Sequence, residues 1–131
     1  VRASMARFGD RYLTRLYTPG ELEACRGDDM ARRLAARFAA KEATVKALAW
    51  RGDSNAGIDW RAIEVVAGPS GEPRLALHGW AAREAARRSL GSLALSLSHE
   101  GDLAAAVVVA ARHPAPSRLS WRVSRSRRRL D

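Results

Sequence analysis

This 131-residue sequence has one cysteine, two lysines, eight aromatic side chains and no long apolar run, and each scarcity excludes something. Cys25 alone cannot close an internal disulfide, so a cross-linked secreted scaffold is excluded and a cytoplasmic setting becomes the default expectation. No stretch approaches the ~18 apolar residues of a membrane-spanning helix, and the N-terminus lacks the charged-then-apolar layout of a signal peptide. No membrane role is expected. There is no phosphate-cradling glycine loop of a standard type and no nucleophile elbow. His78, His99 and His113 show no metal-ligand spacing, and Cys25 has no positioned base, which reads as a buried or incidental thiol.

What is present is 47% hydrophobic, much of it alanine, which rules out wholesale disorder and points to close helix packing. The length suits one domain with one core. The net charge of +9 is unevenly spread. Residues 113–131 hold six arginines against Asp131, together with Pro114, Pro116 and four serines, so more than half the excess lies in what reads as a solvated, disordered tail. The domain is expected over 1–112. An arginine tail could neutralise phosphates, but the remaining chain has modest charge and no nucleic-acid motif, so nucleic acid is not an expected partner.

The 23 basic residues include only two lysines, Lys41 and Lys46. In a chain that otherwise uses arginine, lysine at these places suggests a need for a compact, flexible ammonium.

Periodicity gives the organisation. Residues 3–16 have helical apolar spacing, interrupted near Gly9-Asp10. Thr18-Pro19-Gly20-Glu21 predicts a helix start, with Thr18 as N-cap and Glu21 as its reciprocal partner, in a helix ending near Arg26-Gly27. Asp28 or Asp29 can cap a long helix from Met30 to Trp50, in which Arg37, Lys41, Glu42 and Lys46 are expected to share a flank. A loop follows at 52–57. Ala62–Val66 and Arg74–His78 read as strands around a Gly68-Pro69-Ser70-Gly71 turn, and Ala81–Arg88 as a helix. Leu93–Ser98 alternates strictly, His99-Glu100-Gly101-Asp102 reads as a turn, and Leu103–Ala111 as an apolar strand closing an antiparallel hairpin. The class is α+β: helices, then a small, mainly antiparallel sheet packed on the long helix.

On spacing alone, Glu42 and Lys46 are an ordinary surface ion pair across one helical turn. The alternative is chemical: a carboxylate for a hard divalent cation beside an ammonium that meets phosphate, as a phosphoryl-transfer centre requires. His99, closing a strand, reads as a structural donor or exposed residue, with a ligand role as the alternative.

The run Arg37-Phe38-Ala39-Ala40-Lys41-Glu42-Ala43-Thr44-Val45-Lys46-Ala47 resembles the signature helix of holo-acyl-carrier-protein synthases, the small 4′-phosphopantetheinyl transferases. Three further segments are similar in order and spacing: Leu16–Leu22, Ile63–Val65 followed by Gly71–Leu75, and Ser96–Glu100. The resemblance spans about residues 3 to 111. It implies transfer of the phosphopantetheine arm of coenzyme A to a serine of an apo-acyl carrier protein, in fatty-acid or polyketide synthesis. Glu42 would bind magnesium and, with Lys46, be catalytic; Arg37, Lys46 and His99 would hold coenzyme A. Lys41 could meet phosphate or be structural. The general base would be Glu42 or a metal-polarised water. Arg2 and Arg7 would face the acidic carrier protein and Met5 would offer it an apolar contact, while trimers with active sites between subunits are implied. The family opens with a Gly-x-Asp strand whose aspartate is a second magnesium ligand. This sequence starts at Val1, beyond it, and Asp10 does not match that residue. The expectation is either a truncated sequence or a lost strand, and the second case makes a non-catalytic coenzyme A or carrier-protein binding module the alternative function.

Overall fold

A computed structural model describes residues 11–48 and 57–112. The expectations about Arg2, Met5, Arg7, Trp50 and the 113–131 tail lie outside the described residues.

Helix α1 covers 11–16 here, and α2 runs over Pro19–Ala24. The capping box is formed as its residues require: the Glu21 backbone N–H donates to Thr18 Oγ1 at 3.1 Å, and the Thr18 N–H donates to Glu21 Oε1 at 3.0 Å. The long helix α3 spans Met30–Ala47; Asp29 is its N-cap residue but makes no side-chain capping bond. A 3₁₀ turn at Trp60–Ala62 leads into β1 (Ile63–Ala67), which pairs antiparallel with β2 (Pro73–Leu77), Val65 opposite Leu75. Helix α4 covers Gly79–Arg87, followed by β3 (Leu90–Glu100) and β4 (Leu103–Arg112).

The α+β reading holds, with two refinements. The strands form two separate two-stranded ladders, β1–β2 and β3–β4, with α4 inserted between them in the chain. His99 and Glu100 belong to β3 and pair with Ala104 and Leu103, so the turn is the two residues Gly101-Asp102. Gly101 has φ 57°, a left-handed conformation that glycine adopts without a Cβ penalty.

The core gathers Leu16 of α1, Tyr17 just after it, Leu34 of α3, Leu48 just after that helix and Ile63 of β1, with Ala81 and Ala85 of α4 closing it. The scarce aromatics are placed where they matter. The Phe38 and Trp60 rings meet at 5.0 Å with a 53° tilt, and Tyr17, fully buried, donates its hydroxyl to the Leu34 carbonyl at 2.7 Å. Burial, then the nearby Glu21 charge, pushes the Tyr17 phenol far above its usual range, so it remains a donor.

Candidate active site

Helix α3 turns two different chemistries in two directions. A residue turns about 100° from its neighbour, so Lys41 and Glu42 cannot point the same way. Lys41 is completely buried, whereas Glu42 and Lys46 are exposed. This corrects the expected shared flank. Glu42 and Lys46, four residues apart, stay on one face, but Lys41 faces the core and Arg37 lies about 140° round the helix from Glu42.

Lys41 is held by three acceptors: Glu21 Oε1 at 2.8 Å, the Trp60 carbonyl at 3.0 Å and the Ile63 carbonyl. An ammonium has three donors, and all three are used. Burial pulls its pKa below the usual lysine value, while the Glu21 charge and hydrogen bond work the other way. Glu21 is also saturated, accepting from Thr18 N–H and, through Oε2, from Val65 N–H at 3.0 Å. The network continues outward: Thr18 Oγ1 donates to Glu64 Oε2 at 2.6 Å, and Glu64 Oε1 lies 2.9 Å from His78 Nε2. Burial raises the Glu64 pKa, but the bonds from Thr18 and His78 outweigh it and hold the carboxyl below its ordinary value. Thr18, Glu64 and His78, with Asp59 and Arg61, line an open cleft of about 530 Å³.

Sequence reasoning noted both Glu21 and Lys41 without joining them. The signal was Lys41 falling in one row with Leu34, Phe38 and Val45 at helical spacing, since lysine is almost never fully buried unless paired.

Arg37 is half-buried; one terminal nitrogen donates to the Arg33 carbonyl at 3.3 Å, while its buried Nε has no partner. Nine residues before Lys46, it lies about 180° round the helix from that residue. His99 is exposed near the turn end of β3. Among the described residues no hydrogen bond or ion pair joins Arg37, Glu42, Lys46 and His99 to one another. The ordinary ion pair of Glu42 with Lys46 is therefore not formed, and both groups face outward.

Among the described residues, no group of three or more His, Cys, Asp and Glu side chains could hold a metal ion. Magnesium does not require such a cage: it keeps several waters and uses one or two carboxylates together with substrate phosphates. One exposed carboxylate beside an exposed ammonium fits that pattern.

The sequence model of the 4′-phosphopantetheinyl transferase superfamily matches residues 1–108. A holo-[acyl-carrier-protein] synthase of Desulforudis audaxviator is 49% identical over 111 residues, covering 84% of this chain and 82% of that protein. The crystal structure of the Neisseria meningitidis holo-[acyl-carrier-protein] synthase superposes with a TM-score of 0.70 at 31% identity, covering 85% of this chain and 88% of the other. The Helicobacter pylori synthase in complex with coenzyme A also gives 0.70, at 28% identity, covering 85% of this chain and 90% of that one. The chain belongs to the 4′-phosphopantetheinyl transferase superfamily and, within it, to the holo-[acyl-carrier-protein] synthase family. Among the described residues no helix is long and apolar enough to cross a membrane.

Proposed function

We infer that this chain transfers the 4′-phosphopantetheine arm of coenzyme A to a serine of an apo-acyl carrier protein, with Glu42 and Lys46 as its reacting pair. The observation that carries the assignment of the pair is their exposure side by side on α3 without an ion pair between them, inside the segment that the family shares. The serine oxygen bonds to the β-phosphorus of coenzyme A, the bond from that phosphorus to the bridging oxygen breaks, and adenosine 3′,5′-bisphosphate leaves. A neutral serine is a weak nucleophile, and the Glu42 carboxylate is the group of the pair able to take its proton. Lys46 places an ammonium against the phosphate oxygens, where charge is stabilised as the bond breaks. Magnesium, with Glu42 as one ligand, would spread the negative charge of the pyrophosphate.

Arg37 and His99 would hold the nucleotide end. Because Arg37 points away from Lys46, the two can serve one site most simply across a subunit boundary, which supports a trimer with sites between copies. The exposed face of β4 supports the same reading: Val107 and Val109 stand about 60% exposed on it. The working compartment would be the cytoplasm, and the service fatty-acid or polyketide synthesis.

Incubation of the chain with apo-carrier protein, coenzyme A and magnesium should yield carrier protein heavier by one phosphopantetheine in intact-mass spectra. No mass gain at concentrations where a relative succeeds would overturn the assignment. Lys46→Ala should lower kcat about 10²- to 10³-fold, the range for removal of a charge-stabilising donor, with the melting temperature unchanged because the side chain is exposed.

A further inference from the structure

We propose that the buried Lys41–Glu21 pair is a positioning device for catalysis: it locks the roll of α3 and thereby aims Glu42 and Lys46. This rests on the reading of Glu42 and Lys46 as the reacting pair. It separates the two lysines of the chain into an aiming residue and an acting one.

Near its start, helix α3 is tied by the Tyr17 hydroxyl, which donates to the Leu34 carbonyl at 2.7 Å. Its buried positions besides Lys41 are Leu34, Ala36, Ala40, Thr44 and Val45, two of them alanines. Alanine side chains allow close approach but have little shape with which to resist rotation. The Thr44 hydroxyl is satisfied within the helix, donating to the Ala40 carbonyl at 2.7 Å, so it ties α3 to nothing else. Lys41 alone of these sends donors to three other segments: α2 through Glu21, the 3₁₀ turn through the Trp60 carbonyl, and the start of β1 through the Ile63 carbonyl. Three fixed acceptors around one ammonium define both the roll and the axial position of the helix. Glu21 is itself pinned by Thr18 N–H and Val65 N–H, so the anchor cannot drift with the helix.

The geometry makes a small error costly. A roll of about 20° moves a side-chain tip at a radius of 5–6 Å by about 2 Å. Misplacement of about 1 Å can lower a rate about 10²-fold. A buried ion pair is a poor device for stability, because desolvation consumes most of the attraction, but a good one for choosing a single packing among several. Lysine suits the place better than arginine: its three donors diverge from one atom, whereas a planar guanidinium presents a fork.

The decisive variant is Glu21→Asp, which retains the charge but shortens its reach by one methylene. The expected result is a folded protein with kcat lowered at least tenfold, KM for coenzyme A within twofold, and calorimetric affinity for coenzyme A within twofold. In a Lys46→Ala background the same change should lower kcat by a smaller factor than in wild type, because only Glu42 is then left to aim. A general weakening of the fold would lower kcat equally in both backgrounds, which would overturn the proposal. Wild-type kcat in Glu21→Asp would do so as well. If Glu21→Asp does not fold, the neutral pair Glu21→Gln with Lys41→Met, which leaves no buried charge, takes its place with the same two outcomes. Absence of transfer by the unaltered chain would remove the functional reading itself, an outcome distinct from any difference between backgrounds.

Discussion

The two hairpins of this fold are built from similar residues and treated in opposite ways. In β1–β2, Ile63 and Val65 are buried and the first strand is bound to α2 and α3 through Glu21 and Lys41. In β3–β4, no residue is fully buried: Leu93, Leu95, Leu97, Ala106 and Val108 are half-covered, and the alternate positions face out. Those outward positions divide by strand: β3 presents Ser92, Ser96 and Ser98, whereas β4 presents Ala105, Val107, Val109 and Ala111 and is not polar in the way a solvated strand is. An antiparallel sheet with one wet face normally alternates apolar with polar side chains. The first hairpin is completed by its own chain, and the second leaves Val107 and Val109 of β4 exposed.

The comparison breaks most visibly at the second hairpin. Val107→Asp with Val109→Asp should convert a trimer into monomers in light scattering and abolish transfer, while the urea midpoint of the separated chain stays close to that of wild type at high dilution. If the unaltered chain is a monomer at micromolar concentration, the two hairpins do not differ in the way described. At the first hairpin the effect should appear in stability instead. Ile63→Ala deletes a fully buried side chain and should cost about 2–5 kcal/mol in urea unfolding, independent of protein concentration if association is absent. A smaller effect is expected where α2 meets β1. Thr18→Ala removes both a helix cap and a bond to Glu64, for a loss of about 1 kcal/mol.

How far the sequence already displayed this arrangement depends on range. The Thr18–Glu21 capping box is a four-residue device, and it was fully readable because donor, acceptor and spacing all lie within it. The strands were readable from alternation, and their ends only approximately: His99 continues β3 because pairing with Ala104 satisfies it, which period alone does not reveal. The inward turn of Lys41 was harder. Its acceptors lie 19 to 22 residues away, and two of them are backbone carbonyls that any residue could supply. The spacing did contain a warning: five residues separate Lys41 from Lys46, which places them about 140° apart on a helix. The outward pair Glu42 and Lys46 was visible by contrast because four residues return to the same face.

The smallest predicted effect tests whether the Thr18–Glu64–His78 chain supports the first hairpin in the way its geometry suggests. Glu64 accepts hydrogen bonds that favour its ionised form, and its pKa lies below the ordinary value despite partial burial. A carboxyl with a lowered folded pKa binds its proton more readily when unfolded, so its contribution is complete above the unfolded carboxylate range, about pH 4.3 for glutamate. That contribution fades as pH falls through the folded pKa, which is lower still. Glu64→Gln keeps the size and loses the charge. Its urea midpoint should therefore fall below that of wild type near pH 6, and the gap should close as pH drops below the ordinary carboxylate range and the wild-type carboxyl takes up its proton. A constant difference across the range for Glu64→Gln would mean that the carboxyl acts by shape alone, and the first hairpin would then owe its order to apolar burial and the Lys41 anchor.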